Sequence, residues 1–386
     1  MFYNAALKRT TLKPYDMPLF WATLTLLALG VIMVYSASIA VAEKMPSHNA
    51  QYYLGRHMIS MVVAGLFAVA LFRLPSASWQ KWALPLFLVS TLLLLLVLVP
   101  GIGKEVKGSW RWINLGPLGN FQVSELMKLA TLIYAADYTV RKAALMGSIQ
   151  KGFLPMLLVM VGISALLQLQ PDMGAAVVII AIAMGVLFLG GLNLRLFLLL
   201  LLLVIAGLIL FVNLYAYRLE RLGTYINPWM DPLGAGYQIT NALMAVGRGG
   251  WFGMGLGESV GKLSYLPEAH TDFLAAIIAE ELGALGILVI LGLFAWVIWR
   301  AFSIGWQASL MGRNFQALVA QGVAIWMGVQ CFINIGVNLG ALPAKGLTLP
   351  LMSYGGSSLL VNCMAMALLL RVDYENRLLM RGGRLV

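Results

Sequence analysis

Apolar blocks long enough to cross a bilayer recur from one end of this chain to the other, and nothing else in the sequence limits its fold so severely. In hydrocarbon every backbone N–H and C=O must find a partner within the protein, which leaves α-helices and closed β-barrels as the spanning structures. A helix needs about 20 apolar residues to cross roughly 30 Å. By that measure about ten spans are expected, near residues 17–41, 57–73, 82–100, 122–140, 152–169, 172–191, 194–215, 273–299, 315–341 and 348–371. Barrel strands alternate apolar and polar residues, and LRLFLLLLLLVIAGLILFV at 194–212 shows no such alternation. The expected class is all-α, a polytopic integral membrane protein with one membrane domain over residues 1–386. With 61% hydrophobic and only 11% charged residues, the composition excludes an ordinary soluble domain. Ala40-Val41-Ala42 resembles a signal-peptidase site, but the apolar run before it exceeds a signal-peptide core and reads as a retained first span.

Lys and Arg set the expected orientation, because cytoplasmic loops collect them. An even number of spans puts both termini on one side, together with Lys8, Arg9, Lys13, Arg73, Lys81, Arg141, Lys142, Arg300, Arg313, Arg371 and Arg377, so both termini are expected to be cytoplasmic. This distribution explains much of the net charge of +11 without nucleic acid, and no RNP-like or zinc-finger pattern is present. Cations on the other side, including Lys104, Lys107 and Arg111, suit an anionic ligand there. Cys331 and Cys363 fall inside expected spans, and His48, His57 and His270 are scattered. Neither a disulfide framework nor a metal cluster is expected.

Two loops stand out for length, both on the outward side. The first, at about 101–121, reads GIGKEVKGSWRWINLGPLGNF. The second, the long extracytoplasmic loop at 216–272, holds Trp229, Trp251, Tyr225, Tyr237 and Tyr265 around RGGWFGMGLGESVG. Such density of aromatics and glycines suggests a structured element at the membrane interface. The glycines at 253, 255 and 257 lack the strand–turn–helix setting of a phosphate-cradling loop. Arg248 beside them is a better phosphate contact, through charge-assisted hydrogen bonds.

Ionisable residues inside spans are costly and mark functional positions or buried pairs. Glu125 and Lys128 share a helix face, where pairing with each other and contact with a substrate are both open. Asp172 follows Gln170-Pro171 and reads first as a normal helix start, with a functional role as the alternative. Gln330, Asn334 and Asn338 form one polar stripe suited to interhelical hydrogen bonds. Ser353 heads SYGGSS, whose small residues permit close helix approach or an unwound turn lining a cavity.

The densest polar cluster is KLSYLPEAHTD at 262–272, with Lys262, Glu268, His270 and Asp272; Glu280 lies two turns further in. Asp272, where the loop enters a span, suits an N-cap. It equally suits a carboxylate at a cavity mouth, where partial desolvation makes a general base. On residue chemistry alone both readings stand.

Several segments together resemble the SEDS family, polytopic membrane proteins that shape, elongate and divide bacterial cells. They are SWRWINLG at 109–116, QVSELMKL at 122–129, LQPDMG at 169–174, GLGESVGKLSYLPEAHTDF at 255–273, AEELG at 279–283 and LPAKGLTLPLMSYGGSS at 342–358, in family order over nearly the whole chain. YDMPLF, RWINLG and Ala269, where the elongation branch commonly has arginine, look more like the division branch. Val123 and Ala344 depart from the proline or alanine and the threonine usual at those places.

The resemblance implies a peptidoglycan glycosyltransferase of the bacterial inner membrane, at the division septum, polymerising lipid II into glycan strands. It carries the essential aspartate over to Asp272, as general base for an inverting transfer. The intramembrane acid and lysine carry over to Glu125 and Lys128, and the loop lysine and glutamate to Lys262 and Glu268. Arg111, Arg248 and Lys262 are the candidate cations for the pyrophosphate, with or without a divalent cation such as Mg or Mn, and with no tightly bound cofactor. His270 and Ser353 complete the expected substrate contacts. The implied partner is a single-span class B penicillin-binding transpeptidase, FtsI-like, with other divisome proteins. A lipid II flippase, which would use the intramembrane charges as a pathway, is the alternative; a scaffold that only recruits division proteins would leave those charges without a purpose.

Overall fold

The computed structural model describes residues 14–44, 49–106, 108–116, 119–199, 201–202, 207, 227–343 and 345–383. The chain is mostly helical. Its main helices are α1 (Met17–Glu43), α2 (Tyr52–Arg73), α3 (Ser76–Lys81), α4 (Ala83–Leu96), α5 (Val123–Arg141), α6 (Leu154–Leu169), α7 (Met173–Leu189), α8 (Tyr237–Gly249), α9 (Leu274–Leu310), α10 (Asn314–Asn338) and α11 (Gly356–Met380). Every expected block except 194–215 contains one of them; that block, like Lys107, Ala344 and the first part of the long loop, lies wholly or mostly outside the described residues.

Six helices among the described residues are long and apolar enough to cross a membrane: 17–43, 52–73, 149–169, 274–310, 314–338 and 356–380. The helices at 83–96 and 173–189 are apolar but shorter. Helix α5 carries Glu125, Lys128 and Asp137 and is buried along most of its length, so neighbouring helices take the place of lipid around it. The count of ten is thus an expectation from apolarity that the helices themselves match only in part.

Two boundaries differ from expectation. Loop 101–121 is a three-stranded antiparallel sheet, β1 (Gly103–Val106), β2 (Ser109–Asn114) and β3 (Asn120–Gln122), paired in sequence order. The aromatic and β-branched residues of SWRWIN favour an extended backbone, and Gly108 at φ 74° takes the turn between β1 and β2. Strand β3 runs directly into α5, tying the hairpin to the membrane helices. The last span starts at Gly356 instead of 348, because Pro350, Leu351 at φ 63° and Gly355 keep 348–355 out of helical geometry.

Helix α9 contains a break. Gly283 sits at φ 69°, ψ −169°, a region open essentially to glycine alone. The interruption frees backbone groups that hydrocarbon cannot solvate, and the glycine-rich segment after α8 meets them. Met254 and Gly255 donate their N–H to the carbonyls of Glu280 and Glu281 at 2.9 and 3.1 Å, and Ala284 and Leu285 donate to Gly250 and Trp251 at 2.9 and 3.2 Å. Contact is so close that a Cβ on Gly249 would lie 1.8 Å from the Ala279 carbonyl oxygen. These glycines are a stitch between two backbones.

At the opposite end of α9 a cluster of ion pairs ties the helices together. Asp16, which caps α1 by accepting from Leu19 N at 2.9 Å, also accepts from Arg300 Nε at 2.9 Å and Arg377 Nη2 at 3.3 Å. Glu375 accepts from Ser76 N at 2.9 Å and Arg371 Nε at 2.8 Å, and pairs with Arg313. Four of the basic residues grouped by charge in the sequence, Arg300, Arg313, Arg371 and Arg377, therefore gather at one end of the bundle.

Gly283→Ala places a Cβ 2.4 Å from Gly253 N in that glycine-only backbone region. We expect a loss of at least about 2 kcal/mol, read as a lower thermal midpoint of the purified protein in detergent.

Candidate active site

Asp272 lies immediately ahead of α9, but the cap position falls on Phe273. What fixes Asp272 is its own carbonyl. Asn334 and Asn338 of α10 both donate to that oxygen, at 2.9 and 3.0 Å. Asn338 also accepts from Ala276 N at 2.9 Å, holding the first turn of α9. The stripe continues on the facing loop: Asn334 donates to Leu347 O at 2.6 Å and Gln330 to Thr348 O at 2.9 Å. One row of amides on α10 thus positions both the acid and the chain segment opposite it. The Asp272 side chain is half-buried, and its Oδ2 lies 3.1 Å from where a Cβ on Gly346 would stand. Any side chain at 346 would crowd the carboxylate, which glycine avoids.

The residues just before Asp272 are held by aromatic packing and short turns. His270 is buried; its ring lies 4.5 Å from Tyr53 and 5.4 Å from Tyr354, and its carbonyl accepts from Tyr354 N at 2.9 Å. Burial pushes the Tyr354 phenol above its ordinary pKa, so it stays protonated near neutrality. Glu268, at φ 57°, accepts from Thr271 Oγ1 at 2.8 Å. Ser353 is buried and its hydroxyl accepts from Leu349 N at 2.9 Å, which closes the turn preceding α11.

The expected cations have internal partners. Lys262 is buried, with its Nζ 2.9 Å from Glu281 Oε1 and 3.0 Å from Ser36 Oγ of α1. Arg248 reaches Glu280 Oε1 at 3.2 Å, although its side chain stays partly exposed. The Glu280 carboxylate also accepts from Ser259 Oγ and from the N–H groups of Val260 and Gly261, at 2.5, 3.2 and 3.1 Å. Arg111, on β2, donates its Nε to Gln170 O at 2.8 Å and also bonds Pro171 O. Asp172 caps α7 by accepting from Ala175 N at 3.2 Å and takes a second bond from Ser124 Oγ at 2.8 Å, as expected of a helix start.

Glu125 and Lys128 pair at 2.8 Å, the arrangement their spacing allows, and Lys128 also donates to Gln330 Oε1 at 3.0 Å. Their pair therefore meets the same α10 stripe that holds Asp272, one turn away. Sequence reasoning missed Glu281 and Ser36; the signal available for Glu281 was a second consecutive acid in an apolar span. Among the described residues no group of three His, Cys, Asp or Glu side chains is arranged to hold a metal.

A model of the cell cycle protein family that groups FtsW, RodA and SpoVE matches residues 17–378. The chain belongs to this family. Among its FtsW/RodA/SpoVE relatives, a probable peptidoglycan glycosyltransferase FtsW of Burkholderia thailandensis is 54% identical over 380 residues, covering 97% of this chain and 82% of its own. Another protein of the same name, from Aromatoleum aromaticum, is 53% identical over 96% of this chain and 91% of its own. The fold is similar to a chain from a peptidoglycan synthase complex that coordinates polymerization and crosslinking, with TM-score 0.75 at 31% identity over 94% of this chain and 98% of that one. The rod shape determining protein RodA of Thermus thermophilus aligns with TM-score 0.67 at 30% identity over 94% and 97%.

In this FtsW/RodA/SpoVE chain the Lys262–Glu281 pair is buried, so removing one partner strands a charge. Lys262→Met is expected to cost about 3–5 kcal/mol, and adding Glu281→Gln should return much of the lost thermal midpoint. A substrate contact without structural weight would instead lower activity and leave the midpoint in place.

Proposed function

We propose that this chain is a peptidoglycan glycosyltransferase that polymerises lipid II for septal wall synthesis, with Asp272 as general base. The observation that carries the assignment is the treatment of Asp272: its backbone is fastened by two buried amides of α10, and its half-buried side chain lies against Gly346, where a Cβ would crowd the carboxylate. Orientation fixed through the backbone is what a group that transfers a proton needs. In the reaction the acceptor sugar hydroxyl attacks the anomeric carbon of the donor from the face opposite the pyrophosphate. The C–O bond to pyrophosphate breaks, the new glycosidic bond forms with inversion, and the hydroxyl proton passes to an oxygen of Asp272. The pyrophosphate leaves with the bonding pair.

Developing negative charge on the leaving group calls for cations near the mouth. The flippase reading is less well supported, because Glu125, Lys128 and Asp172, the charges a pathway would present to cargo, are engaged with one another or with neighbouring side chains. The reading also sets both termini in the bacterial cytoplasm, since the basic cluster around Asp16 and Glu375 belongs to the end of the bundle that holds them. A single-span class B transpeptidase is the partner this function calls for.

Asp272→Asn keeps shape and the backbone bonds of the site. With purified lipid II and the cognate transpeptidase present, it is expected to lower the polymerisation rate by about 10²–10⁴-fold at an unchanged thermal midpoint. Equal polymer from the variant would remove Asp272 from catalysis, and translocation of labelled lipid II without polymer would favour the flippase.

A further inference from the structure

Two sets of cations gather at the end of the bundle away from Asp272, where Gln316 in the first turn of α10 bonds Ser76 Oγ at 3.0 Å. In the first set Arg300, Arg313, Arg371 and Arg377 are matched by Asp16, Asp373 and Glu375. The second set is not matched. Among the described residues Lys81, Lys142 and Lys151 have no carboxylate within ion-pair reach, and Arg141, whose side chain is half-exposed, has Asp137 alone at 2.6 Å.

The second set is built around the last turn of α5. Helix α3 lies between the two sets: Ser76 at its start donates to Glu375, and Gln80, next to Lys81, donates to Asp137 Oδ1 at 3.2 Å. Lys142 donates its N–H to Tyr138 O at 2.9 Å, and the Tyr138 hydroxyl donates to Gly152 O at 2.7 Å, which brings Lys151 to the same place. Three separate turns thus present like charges side by side. Cations held together with too few acids repel one another, and an anion seated among them removes that cost.

The surroundings say which kind of anion fits. Trp82 follows Lys81 and is exposed. Beyond it Leu84, Leu88 and Leu92 follow at four-residue spacing on one face of α4, all exposed. Helix α6 packs beside α4 and exposes Leu158 and Val161. A soluble acidic peptide would use the cations and leave the apolar faces bare. A phospholipid uses both, with phosphate on the cations and acyl chains along the helices, and an exposed tryptophan suits the level between them. Four cations against one acid leave a surplus that a single phosphodiester does not neutralise.

We propose that Lys81, Trp82, Arg141, Lys142 and Lys151 form a site for a diphosphate phospholipid of the cardiolipin type, in the leaflet away from Asp272. The two phosphates bind among the three lysines and Arg141, Trp82 lies at the glycerol level, and the acyl chains cover the exposed faces of α4 and α6. The site is remote from Asp272 and stands independently of the glycosyltransferase reading.

The full-length protein, delipidated in detergent, is titrated with cardiolipin, phosphatidylglycerol and phosphatidylcholine, and bound lipid is counted by native mass spectrometry. We expect cardiolipin to bind about tenfold more tightly than phosphatidylglycerol, with phosphatidylcholine weaker still. The triple variant Lys81→Gln, Lys142→Gln, Lys151→Gln is expected to lose at least about tenfold in cardiolipin affinity, while Lys104→Gln, on β1 at the opposite end, keeps wild-type affinity. Phosphatidylglycerol or phosphatidylcholine binding as tightly as cardiolipin, or wild-type affinity in the triple variant, overturns the proposal. Displacement of cardiolipin by a polyglutamate peptide also overturns it, by making the surface one for an acidic protein. If the triple variant does not fold, Lys81→Gln and Lys151→Gln are read singly; each should weaken binding about fivefold, and unchanged affinity in both is fatal.

Discussion

A helix interrupted within an apolar bundle has to pass its broken hydrogen bonds to another part of the chain, because no water is there to accept them. In this protein the break at Gly283 is met by the backbone of residues 250–255, and much of the site follows from that exchange. Two backbones can approach so closely only if side chains are absent, which accounts for glycine at 249, 253 and 283. The exchange brings the long loop down onto α9 and sets Glu280 and Glu281 against it. Glu280 then gathers the turn at 259–261, and Glu281 gathers Lys262 and the first span. Each of these acids would be prohibitively costly alone in such surroundings, so the loop and the helix hold one another in place.

The spans were legible because burial in lipid demands long apolar runs, and the runs at 17–41, 57–73 and 273–299 correspond to α1, α2 and the first part of α9. The sheet at 103–122 was not, since its strands are short and their signal is drowned by the apolar blocks on either side. The length of α9 escaped for another reason: Arg300 looks like the end of a span, yet the helix continues to Leu310 while that arginine turns to Asp16.

Within the site, periodicity gave the polar stripe on α10 but not its target. Spacing tells which residues share a face; it does not tell that the face reads the carbonyl of a residue 62 positions earlier. The cations posed the opposite problem. Arg111, Arg248 and Lys262 were conspicuous because they sit among motif residues, and those motifs supply their partners. Charge alone could not show this, since it lies in which groups fold back towards each cation.

The amides of Asn334 and Gln330 grip Asp272 on one side and residues 347–348 on the other from a single rigid rod. A tilt or slide of α10 therefore translates both walls together, and the gap between acid and facing loop keeps its width. What changes under such a movement is the distance from that pair of walls to α2, which packs on α11 and α1. The acid would travel like a jaw on a vice, with its opening preset and only its reach adjustable.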